Sequence, residues 1–291
     1  MKTPSPTPLF SIVIPVLNEE KLLPKLLQNL VDQSFPKDMF EVIVVDGKSN
    51  DKSVKAAEKF NNLLQLKIVT ADKANVSTQR NLGARRAKAK WLIFMDADIS
   101  IPPAFLDGVK YQVAHDLSAD CFTCWIDEAT YKTADRPLIT MLNLTIEVFA
   151  RVKPGAPGAM IGVKQNLAKK YPFDPELALG EDHNFISTLV NKNHCFRILR
   201  FPKYHFNLRR LESEGTLKLA RTYSKAQLYI LMGKKIKNGD VDYPMGGEAH
   251  LDKHTWRQST GHQIRQNMSE IMKHHRGTAR KVLNWLSSVD S

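Results

Sequence analysis

The chain has 291 residues, 43% hydrophobic and 25% charged, enough apolar content for one large domain or one and a half. No apolar run approaches the roughly 18–20 residues that span a bilayer, and three cysteines cannot build a disulfide framework. The formal charge of +12 points to an anionic partner, whether nucleic acid, lipid headgroups or a phosphorylated substrate, without choosing among them.

The opening "MKTPSPTPLF" is rich in proline and lacks an apolar segment of the secretory kind, so a cytoplasmic location is expected. "LFSIVIPVL" (9–17) is a continuous apolar, β-branched run, the pattern of a strand buried on both faces. Leucines at helical spacing over 20–34 predict a helix, with Pro24 near its first turn, where proline is tolerated. A second strand (40–47), a helix (51–62), a third strand (64–71), a helix (76–89) and a fourth strand (91–98) follow. This alternation predicts an α/β fold, a mostly parallel sheet with helices on both faces. Ligands bind such sheets beyond the carboxyl ends of the strands. Asn18, Asp46 and the pair Asp96 and Asp98 all fall at those ends.

Farther along, a helix is expected over 103–115, followed by a strand carrying Cys121 and Cys124. Residues i and i+3 of a strand face opposite ways, so this CxxC predicts two buried thiols rather than a metal pair. The run 136–152 predicts an apolar helix, 153–165 a Gly/Pro loop entering a strand, 181–193 a helix opened by acids, and 195–208 a strand. A helix over 214–236, a turn-rich break and a basic amphipathic helical tail complete the chain.

Four constellations carry chemistry. Two carboxylates one residue apart at a strand end repel each other unless a hard divalent cation takes up their oxygens. Arg80 lies in the helix that runs into that strand, and Arg209–Arg210 form a pair in "NLRRLESEG" whose guanidinium forks match phosphate. Arg85, Arg86 and Lys88 read as a solvated helix face. Glu181 and Asp182 open a helix, where an acid serves equally as a cap or as a general base aimed at an acceptor hydroxyl.

Together, "SIVIPVLNEEKLLPKLLQNLVDQS", "EVIVVDGKSND", "STQRNLGARRAKAKWLIFMDADI", "FDPELALGEDHNF" and "HFNLRRLESEG" resemble glycosyltransferase family 2, inverting nucleotide-sugar transferases with the GT-A fold. The resemblance covers about residues 10–215. It implies a catalytic domain over 1–236, with 237–291 as a basic amphipathic tail. By position it implies that Pro15, Asn18 and Glu19 line a nucleotide pocket, that Asp46 contacts base or ribose, and that Arg80 helps hold the nucleotide. It implies Asp98 as the direct ligand of Mn²⁺ or Mg²⁺ on the diphosphate, with Asp96 beside it serving the ribose or the metal's surroundings. His205 is a further candidate ligand, Asp182 the catalytic base, and Arg209–Arg210 a basic pair on a loop over the diphosphate. The expected partners are a nucleoside-diphosphate sugar and a sugar or lipid-linked acceptor. For the tail two readings stay open: contact with an anionic membrane through Leu283, Trp285 and Leu286 beside Arg280 and Lys281, or a helix packed on the core. The sequence departs from the family in "VDGKSND", where many members carry two consecutive acids, and in "YPFDPELALG", where Tyr-Pro replaces two glycines beside the acceptor.

Two other classes fit parts of the sequence. A nucleotidyltransferase needs a Gly-rich phosphate loop after its first strand, where this chain has "PVLNEEKLL". A non-catalytic basic module binding membrane or nucleic acid has no use for carboxylates gathered at a sheet edge, and no nucleic-acid motif is present.

Overall fold

The structure is a computed structural model; it describes residues 7–206 except 117, 132, 134–135 and 153–157, together with residues 236–237. Its first strand, β1 (Phe10–Val16), is buried throughout, as its unbroken apolar run requires. Alternate residues enter different cores: Phe10, Ile12, Ile14 and Val16 face one, and Val13 the other. Helix α1 (Leu23–Val31) buries Leu23, Leu26, Leu27 and Leu30, the i, i+3, i+4, i+7 stripe, and takes Pro24 in its first turn. Strand β2 (Phe40–Asp46), helix α2 (Ser53–Glu58), strand β3 (Leu66–Thr70), helix α3 (Val76–Arg86) and strand β4 (Trp91–Met95) follow. The helices end short of the ranges expected from sequence. Strand β4 stops at Met95, so Asp96 and Asp98 lie in the turn after it.

After that turn come β5 (Ile99–Ser100), α4 (Phe105–His115), β6 (Cys121–Ile126), α5 (Arg136–Val152), β7 (Met160–Lys164), α6 (Gln165–Lys170), β8 (Leu177–Leu179), α7 (Glu181–Asn191) and β9 (Phe196–Phe206). The main sheet has the order β3-β2-β1-β4-β7-β6-β9-β5. Strands β1 to β4 are parallel, β7 runs antiparallel between β4 and β6, β6 and β9 are parallel, and β5 is antiparallel to β9. Ile236, the last residue of the helix expected over 214–236, instead forms β10 (Ile236–Lys237) with Lys237 against β8; the rest of that range lies outside the described residues.

Close contacts lock the layers. A side chain at Gly83 of α3 would have its Cβ 2.2 Å from Val13 Cγ1 of β1, so only glycine lets the helix lie this close. The buried Gln79 amide donates to the Val16 and Val45 carbonyls at 2.8 and 2.7 Å, tying the carboxyl ends of β1 and β2 together. Cys121 and Cys124 point into opposite cores, as a strand dictates, and burial pushes the Cys121 thiol up to about 12 and Cys124 well above its ordinary value. In α5, Asn143 is buried and exchanges two hydrogen bonds with the Ile126 backbone, fixing the helix against β6. Among the described residues no helix is long and apolar enough to cross a membrane.

Candidate active site

The strand order turns outward in both directions from the β1–β4 pair, and there the sheet opens. Strand β1 pairs with β4 only as far as Val13, while its pairing with β2 continues to Val16. The Leu9 carbonyl faces β4, so alternation turns the Pro15 nitrogen the same way. Pro15 therefore sits where no β4 ladder remains to be broken. A crevice results between the carboxyl ends of these strands.

One wall is built by two loops zipped together. The Asn18 backbone N–H donates to Ser49 Oγ at 2.9 Å, and Asn18 Oδ1 accepts from the Asn50 N–H at 2.8 Å. The Glu19 N–H donates to Ser53 Oγ at 2.7 Å, and the Glu20 N–H to Asp51 at 2.9 Å. Asn18 takes a left-handed conformation, φ 54°, which asparagine tolerates better than most residues. Asp46 is buried at the end of β2 and accepts from the Lys48 and Ser49 N–H groups at 3.0 and 3.1 Å. Its carboxylate thus shapes the loop that forms the wall.

The opposite wall centres on Arg80. This guanidinium is 1% exposed and lies over the Phe173 ring, 5.3 Å from its centroid. Nη1 donates to Glu181 Oε1 at 2.9 Å; Nη2 donates to Asp96 Oδ1 and to the Gly158 carbonyl, each at 2.9 Å. Burial opposes the charge, but Asp96, Glu181 and Asp182 outweigh it and hold Arg80 firmly cationic. Arg80, expected to help hold a nucleotide, is enclosed, with both terminal nitrogens on protein acceptors. Next to it, Asn81 exchanges two 2.8 Å hydrogen bonds with the Phe173 backbone, so the "RNLG" stretch anchors the Phe173 segment as well as those that meet Arg80.

Gly180 enters α7 through a left-handed conformation, φ 79°, and the helix opens on Glu181 and Asp182. Glu181 is spent on Arg80. Asp182 is half-buried, and its Oδ1 accepts the His183 N–H at 2.6 Å. Burial pushes the Asp182 carboxyl up to about 7; the Glu181 charge adds to the rise and the Arg80 charge opposes it. A carboxyl poised near neutrality can accept a proton from a hydroxyl, whereas an ordinary helix cap sits near 4. A methyl at Gly158 would lie 2.8 Å from Asp182 Oδ2 and 3.2 Å from Arg80 Nη2, so glycine at 158 makes room for both. Gly158 was not singled out in the sequence; its signal was a glycine following the "KPGAP" stretch.

Asp98 lies in the turn between β4 and β5, and Ser100 of β5 pairs with His205 of β9. The His205 Nδ1 meets Thr130 Oγ1 at 2.5 Å and its ring packs on Tyr131, 4.6 Å between centroids. Burial lowers its proton affinity, which keeps the imidazole neutral and able to bind a metal. Among the described residues no three His, Cys, Asp or Glu side chains gather into a protein-only metal cage. Mg²⁺ and Mn²⁺ sites completed by substrate phosphates need only one or two carboxylates. The hard oxygens at the end of β4 fit that open kind. Asp96 Oδ1 accepts from Arg80 at 2.9 Å, so one of its carboxylate oxygens is taken up within the protein. The Tyr204 hydroxyl, buried and without a hydrogen-bond partner among the described residues, lies within electrostatic reach of Asp96 and Asp98. Arg209 and Arg210 lie outside the described residues, as does the tail with Arg280, Lys281, Leu283, Trp285 and Leu286.

Comparison with known proteins agrees with this arrangement. Residues 11–169 match the family profile described as Glycosyl transferase family 2. The poly(ribitol-phosphate) beta-N-acetylglucosaminyltransferase TarS of Staphylococcus aureus (strain Mu50 / ATCC 700699) is 36% identical over 255 residues, 84% of this chain and 42% of TarS. The chain thus spans less than half the length of that relative. The crystal structure of S. aureus TarS 1–349 in complex with UDP-GlcNAc superposes with a TM-score of 0.55 at 25% identity, over 67% of this chain and 57% of that one. The mannosyltransferase PcManGT from Pyrobaculum calidifontis, in complex with GDP-Man and Mn²⁺, shares the fold at a TM-score of 0.55 and 22% identity, over 68% of this chain and 56% of that one. With the doubly covered sheet, the crevice at its switch point and a profile match over more than half its length, the chain has the GT-A fold and belongs to glycosyl transferase family 2.

Proposed function

We propose that this chain is the catalytic part of an inverting glycosyltransferase that moves a sugar from a nucleoside-diphosphate sugar to a hydroxyl of a phosphate-bearing polymer. The observation that carries the proposal is Asp182. Its carboxyl opens α7 beside Glu181, which Arg80 ties to Asp96 in the turn after β4, and burial there raises its proton affinity.

In this reading the acceptor hydroxyl reaches Asp182. The carboxylate takes its proton as the oxygen attacks the anomeric carbon from the face opposite the diphosphate. The anomeric C–O bond to the phosphate breaks, the electron pair leaves with the nucleoside diphosphate, and configuration inverts in one displacement. The loops at Asn18 and Asp46 hold the nucleoside end. A divalent cation, Mn²⁺ or Mg²⁺, held by Asp98 with Asp96 beside it, would supply positive charge to the diphosphate. Arg209–Arg210, which follow β9 in the sequence, are proposed to add to it. The +12 charge suits an acceptor that carries phosphates, and the substrate named for TarS is a poly(ribitol phosphate). A peripheral position on an anionic membrane face, by way of the basic tail, belongs to the same proposal.

The test is a panel of nucleotide sugars with Mg²⁺ or Mn²⁺, UDP-GlcNAc first, read for binding and slow donor hydrolysis. At least one donor should bind, and Asp98→Ala should weaken its binding. If no nucleotide sugar binds and Asp98→Ala changes nothing, the proposal fails.

A further inference from the structure

Two acids stand side by side at the start of α7, and the structure gives them different work. Glu181 is buried, 9% exposed, and points its Oε1 at Arg80; Asp182 is half-buried and makes its described hydrogen bond to the first turn of its own helix. The same guanidinium reaches across to Asp96 and to the Gly158 carbonyl. Four chain segments far apart in sequence therefore meet on one cation: α3, the turn after β4, the turn before β7 and the start of α7.

Resting on the reading of Asp182 as the base, we infer that Arg80, Glu181 and Gly158 form a positioning unit for it, one buried cation tying the donor-side acid Asp96 to the helix that carries Asp182. Arg80 has turned its terminal nitrogens to protein acceptors, and Glu181 is the group that orients it from the α7 side. Gly158 supplies the gap. A methyl there meets Asp182 Oδ2 at 2.8 Å and Arg80 Nη2 at 3.2 Å, and its backbone needs no left-handed conformation. Substitution at 158 therefore falls first on Asp182 and Arg80. Among the described residues the charged groups facing Asp182 are Arg80 from α3, Asp96 after β4 and Glu181 on its own helix; the turn at 158–159 brings backbone alone. Burial raises the proton affinity of Asp182 first, the Glu181 charge adds to the rise and the Arg80 charge opposes it.

Loss of the Glu181 charge shifts Asp182 through space in any arrangement, whereas a plain structural ion pair would leave its titration unmoved in Gly158→Ala, which keeps every charge. The test is a ¹³C NMR titration of the Asp182 carboxyl, identified by its loss in Asp182→Asn, on the protein without donor. Glu181→Gln removes one negative neighbour and should lower the midpoint by about half a pH unit or more. Glu181→Asp keeps the charge and should restore a midpoint close to the parent's. An unmoved midpoint in Glu181→Gln overturns the inference. Gly158→Ala, read the same way, separates positioning from charge alone: a moved midpoint supports the inference and an unmoved one overturns it. Because no donor is needed, failure of every nucleotide sugar to bind would sink the proposed activity and leave this result standing.

Discussion

At the scale of single residues, Asp182 gathers the most chemistry into one carboxyl. Its proton affinity is raised in the fold, so between about pH 4 and 7 the folded protein keeps a proton that the unfolded chain releases. The stability this contributes is complete below the unfolded value and is lost as pH rises through about 7. A base must be ionised to act, so turnover should climb over the same interval in which that stability is lost. Turnover measured from pH 5 to 9, beside urea unfolding at its two ends, checks both signs; a profile flat through neutrality would remove Asp182 from the base role. Asp182→Asn should bind nucleotide as the parent does and lose about 10²–10⁴-fold in transfer. Asp116 shows the opposite behaviour on the surface: hydrogen bonds from Ser118 and Arg197 hold it down to about 2, so what it contributes is present above about pH 4 and fades only in strong acid.

At the scale of elements, packing explains why certain motif positions cannot change. Gly83→Ala would drive a methyl into Val13 and should cost about 1–3 kcal/mol in urea unfolding. Val13→Ala in the same chain should recover part of that loss, a non-additivity that isolates the contact. The alternation of period-2 and period-3.6 patterns made the first four strands and their helices legible, because each is buried by a regular face. The opposed burial of Cys121 and Cys124 followed from the same geometry. The short elements β5, α6 and β8 were not legible, since two to six residues hold too little pattern and depend on neighbours distant in sequence. The site divided in the same way. Carboxylates at strand ends announced themselves. The enclosure of Arg80 did not, because Glu181 stands 101 residues away and Gly158 is 78 away, and no local spacing records such a meeting.

At the scale of the whole molecule, the +12 charge should govern encounter with any acceptor that carries phosphates. Retention on an anionic polymer should weaken steadily between about 50 and 500 mM salt, as screening shortens the reach of surface charge. Salt-independent retention would mean that charge is not what brings acceptor and enzyme together. Vesicle co-sedimentation with and without residues 252–291 separates the tail from the rest; binding to anionic vesicles that survives the truncation unchanged would dismiss the tail as a membrane contact. The two layers flanking the sheet need not loosen together, and β6 carries a means of telling them apart. Cys121 and Cys124 sit three residues apart with one thiol in each layer, both too protonated and too enclosed to react until their own side opens. A thiol reagent applied to the single variants Cys121→Ala and Cys124→Ala would therefore time the breathing of each layer separately, with Cys195 at the margin as an internal clock for the reagent itself.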